Sequence, residues 1–133
     1  MKSNFIFIFM VILFIAYSFI PTNVEKKTTK NIKLNEKYYQ TKFCNKLGGI
    51  MEFRLKDSTR VDCLSDEYAI EVDWAKKWAE GIGQSLYYGL MTKKKPAVAL
   101  IVSKKDKRFI KRLEKVADEF NIKIFFIQKI ENN

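Results

Sequence analysis

The spacing of apolar and polar positions changes several times along this chain, and each change marks an element. In Asn35–Leu47, NEKYYQTKFCNKL, the apolar residues Tyr38, Tyr39, Phe43 and Leu47 recur at helical spacing. Asn35 is placed to cap that helix, and Gly48-Gly49 to end it. IMEFRL (50–55) and RVDCLS (60–65) alternate as half-buried strands do, and the turns KDST and SDE follow them. YAIEVDW (68–74) predicts a third strand. Residues 75–91 then predict a helix, with Trp78, Ile82, Leu86 and Leu90 spaced by four. PAVALIVS (96–103) is nearly all apolar, as a strand buried on both faces should be. A basic amphipathic helix over 105–120 and a strand IKIFFIQ (122–128) complete the set. The predicted class is α/β: an α-β-β-β-α-β core with a mixed sheet flanked by helices, plus a C-terminal α-β extension. Its parallel crossovers are expected to be right-handed.

The N-terminus follows a different logic. Phe5–Ile20 is sixteen residues in which only Tyr17 and Ser18 are polar at all, preceded by Lys2. Residues 1–20 are therefore expected to be an export signal, cleaved or retained as a membrane anchor. Residues 21–34 are polar and basic and read as a linker, leaving 35–133 as one folded domain. The expected location is exported, periplasmic or extracellular, or anchored in a membrane through residues 5–20.

Charge adds a possible partner. The net charge is +10, and ten cations fall between Lys93 and Lys115. Lys93, Lys94, Lys95, Lys104, Lys105, Lys107 and Arg108 are the candidate contacts for a polyanion, set against the plainer reading of a solvated surface. The chain has two cysteines, Cys44 and Cys63, and no histidine. In an exported domain the two cysteines predict one disulfide; in a cytosolic one they would be buried thiols. The lack of histidine excludes Ser-His and Cys-His catalysis, and two cysteines without histidine make a zinc site improbable. Carboxylates, lysines, tyrosines or a bound metal must carry any chemistry.

These groups crowd the junction between the third strand and the following helix. Glu71 and Asp73 share a strand face, and Asp62 can join them from the second strand in an ordinary meander. Converging carboxylates repel unless a proton or cation intervenes, and a hard divalent ion suits an all-oxygen site. On the helix, Lys77, Gly81, Gln84 and Tyr88 form one stripe, from which Lys76 is turned away. Gly81 leaves room there for a substrate or for close packing on the sheet.

An acid on the second strand, Glu-x-acid on the third, then a helix bearing QSLYY resembles the PD-(D/E)xK nuclease superfamily, with the QxxxY motif of its RecB-type exonucleases. The resemblance covers 35–103. It implies a metal-dependent nuclease with Asp62, Glu71 and the Val72 carbonyl as ligands to Mg²⁺ or Mn²⁺. The candidate catalytic residues are then Asp62, Glu71, Asp73, Lys77 and Gln84, with Tyr88, Arg60 and Glu52 as candidates to position the substrate. The implied partner is nucleic acid, DNA before RNA. Two departures stand out. Asp73 occupies the family's lysine position, for which Lys77 would substitute from the helix, and Val61 replaces the motif's proline. Each residue also has an ordinary alternative: Asp62 paired with Arg60 or Lys77, Glu71 and Asp73 at a solvated strand end, Tyr88 in the core, Glu52 exposed on its strand. The competing functions are a catalytically degenerate nucleic-acid binder of the same fold and an envelope protein whose basic helix docks on anionic lipid.

Overall fold

Asn35 begins the folded region as a helix cap. Its side chain accepts the Tyr38 N–H at 3.0 Å, so the first helix, α1 (Glu36–Lys46), starts with an orphan donor satisfied. Gly48 follows the helix with φ +65°, a left-handed conformation that glycine adopts without penalty. The computed structural model describes residues 34–131; the predicted signal or anchor and nearly all of the linker lie outside them. Among the described residues, no helix is long and apolar enough to cross a membrane.

The strands are β1 (Ile50–Arg54), β2 (Arg60–Leu64), β3 (Tyr68–Trp74), β4 (Lys95–Val102) and β5 (Lys123–Gln128). A 3₁₀ turn (Ala75–Lys77) leads from β3 into α2 (Trp78–Thr92), and α3 (Lys107–Glu119) joins β4 to β5. The five strands form one mixed sheet in the order β1-β2-β3-β4-β5. β1, β2 and β3 are antiparallel neighbours, whereas β3, β4 and β5 run parallel. The α/β class, the mixed sheet and the element order are those the apolar pattern predicts.

The two sheet faces bury different sets of residues. On one face α1 places Tyr39, Phe43 and Cys44 over Cys63, Ile70, Val72, Ala97, Ala99 and Ile101. On the other, α2 and α3 place Ile82, Leu86, Leu113 and Ala117 over Val98, Leu100 and Val102. Every residue of β4 from Ala97 to Val102 is buried, which explains its unbroken apolar run. Cys44 and Cys63 are joined, with α-carbons 5.6 Å apart and 19 positions of separation. A bridge closing a loop of this size typically contributes about 3 kcal/mol. It also matches an oxidising, exported setting.

Two sequence expectations change, and one alternative left open by the sequence is decided. Leu90 does not continue the buried stripe of α2; it is 77% exposed. Steps of four advance about 40° around an α-helix, so the stripe that starts at Trp78 has rotated off the core face by Leu90. Gly89 faces inward instead, buried where a Cβ would lie 3.1 Å from the Lys94 carbonyl. Gly81 serves packing: a Cβ there would meet Val98 at 3.3 Å. The α-helix also starts at Trp78, not at 75, so Lys77 lies in the 3₁₀ turn and outside the helical stripe drawn through Gly81, Gln84 and Tyr88.

Candidate active site

The site forms where the sheet opens. β2 and β3 pair through Cys63↔Ile70 and Leu64↔Ala69. One step further, that register sets Asp62 opposite Glu71, yet the pairing does not continue, while β3 goes on pairing with β4 as far as Trp74↔Ile101. The strands fork at the two acids. The open edge of β3 leaves the Val72 N–H without a strand partner, and Asp62 Oδ2 accepts it at 2.9 Å.

A cavity of about 480 Å³ lies at the fork. Of the predicted site residues, Asp62, Glu71, Gln84, Tyr88, Arg60 and Glu52 line it. Gln84 and Tyr88 are one turn apart on α2 and reach it together. Asp73 and Lys77 are not in its lining. Asp73 is buried at the end of β3, accepting the Trp74 N–H at 2.8 Å, with Lys77 Nζ 3.4 Å from its Oδ1 and 3.6 Å from Glu80 Oε2. Val72 is buried between Glu71 and Asp73. Trp74 and Trp78 pack against the two cores.

The sequence reading missed the contribution of α1. Glu36, Lys37 and Gln40 line the cavity, as do Ser58 and Thr59 of the β1–β2 turn. A signal for Gln40 was present: it precedes Cys44 by one helical turn, so a Cys44–Cys63 bridge brings it next to the neighbour of Cys63, which is Asp62. Gln40 Nε2 lies 3.1 Å from Asp62 Oδ1, 2.9 Å from the Asp62 carbonyl and 2.9 Å from Glu52 Oε1. Glu52 holds two cations, Lys37 at 2.6 Å and Arg60 at 2.9 Å. Lys37 lowers the pKa of Glu52, first through its hydrogen bond. Glu52 thus departs from the plain alternative of an exposed strand acid, being half-buried and paired. Its backbone is left-handed, φ +53°, a strained conformation for a residue with a side chain.

Burial dominates the electrostatics of the fork. It pushes Asp62 up to about 6, Asp73 up to about 7 and Glu71 up to about 9. For Glu71, the neighbouring Asp62 and Asp73 carboxylates add to the burial effect. Lys77 is raised, chiefly by Asp73. Glu71 is 6% exposed, and its Oε2 has no hydrogen-bond partner. A buried oxygen of this kind calls for a proton or a cation.

The donor set suits a hard ion, though not an all-protein cage. Among the described residues, no three acidic, cysteine or histidine side chains are grouped to hold a metal. Asp62 and Glu71 supply two carboxylates, and Mg²⁺ commonly binds through one or two carboxylates while keeping several waters.

The basic run is divided by the fold. Lys93, Lys94 and Lys95 lie at the start of β4, where Lys94 Nζ donates to the Asp66 carbonyl and Lys95 pairs with Glu67 at 2.8 Å. Lys104, Lys105, Lys107 and Arg108 lie beyond its other end, about 23 Å away for a strand of eight residues. The expected single footprint is two separate groups. Strand registers put the second group at the sheet end that carries Asp73 and the β1–β2 turn.

No protein-family model, curated protein or solved structure matches this chain.

Proposed function

We propose that this protein is an exported, metal-dependent nuclease of the PD-(D/E)xK type, acting on the phosphodiester bonds of nucleic acid. The observation that carries this reading is the pair Asp62 and Glu71 facing each other at the opened β2–β3 ladder, with a buried, unpartnered Glu71 oxygen at the cavity. Asp62 and Glu71 would hold Mg²⁺ or Mn²⁺, with the Val72 carbonyl as the third protein oxygen. When bound, such an ion polarises a phosphate and lowers the pKa of an attacking water.

The chain's own residues supply the rest. Lys37 and Arg60, held by Glu52 at the cavity, attract and orient the phosphate. Gln84 and Tyr88 line the cavity, where Gln84 would contact the substrate and Tyr88, its ring buried with Val61 and Ala69, would form part of the cavity wall. Lys77, paired with Asp73 outside the cavity lining, would support charge developing on the reacting phosphate by turning its side chain toward the ion. The alternative of a degenerate, non-cleaving binder rests on Asp73 standing at the family's lysine position and on Lys77 lying outside the cavity lining, paired with Asp73.

The deciding experiment incubates the disulfide-bonded protein with single-stranded DNA, duplex DNA and RNA, with Mg²⁺, with Mn²⁺ or with chelator. Cleavage that needs the ion and disappears in Asp62→Ala and Glu71→Gln supports the nuclease. Ion-independent binding without cleavage supports the degenerate binder.

A further inference from the structure

Gln40 is 4% exposed, on a helix whose other cavity residues, Glu36 and Lys37, are less buried. A buried primary amide needs partners, and its Nε2 lies within hydrogen-bond distance of both acids on its side of the cavity, Asp62 and Glu52. The third contact is the Asp62 main-chain carbonyl, so the amide touches both the backbone and the side chain of one residue. Asp62 Oδ2 is already engaged by the Val72 N–H. The carboxylate is therefore held at each oxygen by a different element: α1 through Gln40 and β3 through Val72. The Cys44–Cys63 bridge joins the same two elements as the Gln40–Asp62 contact, one helical turn along α1 and one residue along β2.

We infer that Gln40 is a positioning residue that sets the Asp62 carboxylate for ion binding and couples it to Glu52, the acid that holds Lys37 and Arg60. This rests on the reading of Asp62 as a metal ligand. Ligating carboxylates are commonly oriented by donors outside the ligand set, and losing such a partner typically weakens metal binding about 10–100-fold. A residue that only filled space would be replaced without loss by an apolar side chain of the same length.

The test uses Mn²⁺ itself as probe, on the disulfide-bonded protein and two variants. Gln40→Met preserves length without donors; Gln40→Asn preserves the amide but shortens its reach. Folding is checked by circular dichroism and by retention of the bridge. Mn²⁺ affinity is measured calorimetrically, and the bound ion by its electron paramagnetic resonance spectrum. Both variants are expected to weaken Mn²⁺ binding at least about tenfold and to share one altered spectrum. If the parent protein binds no Mn²⁺, the metal reading and this inference fall together. If the parent binds Mn²⁺ and either variant binds it with parental affinity and spectrum, the role of Gln40 alone is overturned. Should Gln40→Met not fold, Gln40→Asn decides by the same two measurements.

Discussion

Asp62 Oδ2 accepts the Val72 N–H at 2.9 Å, so a side chain takes the place of a strand at the point where β2 leaves β3. The same carboxylate therefore has a structural duty and, in the proposed function, a chemical one, and substitutions can separate the two. Asp62→Ala leaves the Val72 amide without its partner and should destabilise the fold by about 1–3 kcal/mol. Asp62→Asn keeps one oxygen to accept the Val72 N–H but gives up the Gln40 contact at the other, so it should retain more stability than Asp62→Ala while losing Mn²⁺ binding and cleavage. Denaturant unfolding and calorimetry on the two variants check this. Equal destabilisation by both would show that the amide contact matters little.

Stability should depend on pH in a direction set by the buried acids. Asp62, Asp73 and Glu71 have folded-state pKa values of about 6, 7 and 9, above ordinary carboxyl values of 3.8, 3.8 and 4.5. A raised value means that the folded chain keeps a proton which the unfolded chain has released. The stability these groups contribute is complete below about pH 4 and is lost as pH rises towards about 9. Melting temperature should therefore fall over that range, and Glu71→Gln should flatten the alkaline part of the fall. Added Mg²⁺ or Mn²⁺ should raise the melting temperature most at the alkaline end, where the carboxylates are ionised. A melting temperature unaffected by either ion at alkaline pH would count against the metal site.

The two lysines next to the acids should affect different steps. Lys77 sits 3.4 Å from Asp73 and is assigned to charge stabilisation. Lys77→Ala should lower turnover roughly 10²–10³-fold while leaving Mn²⁺ binding nearly intact, because a lysine is not a ligand. Lys37 lies in the cavity against Glu52, so Lys37→Met should chiefly raise KM. Lys76→Ala, with an exposed side chain, should be silent. Steady-state kinetics on the three variants would expose an error if Lys76 proved essential or if Lys77→Ala changed only KM.

The divided basic run makes a prediction about salt. Lys104, Lys105 and Lys107 share the sheet end that carries Asp73, whereas Lys94 and Lys95 are engaged with Asp66 and Glu67 at the other end. Reversing the first three to Glu should weaken nucleic-acid binding and reduce the slope of log affinity against log salt by about one per lost phosphate contact. Reversing Lys93, Lys94 and Lys95 should leave that slope nearly unchanged. Fluorescence anisotropy titrations over a salt series give both slopes, and equal loss in the two triple variants would restore the single footprint.

The sequence by itself determined the order and period of the elements, because those depend on neighbours along the chain. Alternation placed β1, β2 and β3, and the apolar run 97–102 announced a strand buried on both faces. Asn35 signalled its cap in the same local way, and two cysteines in a chain with an export-like start signalled their bridge. The positions of Asp62, Glu71, Gln84 and Tyr88 at one cavity were also legible, since period two and period 3.6 fix which side chains share a face. Tertiary structure alone decided where the β2–β3 ladder stops, because strand pairing is a relation between distant segments. At that stop lie the Asp62–Val72 contact, the buried Glu71 and the Gln40 amide of α1. Packing likewise seated Gly89 against Lys94 and Pro96, and β4 set a strand's length between cations that are near neighbours in sequence. Local spacing carries no record of such distances, so the face of a residue could be read from the chain but its partner across the fold could not.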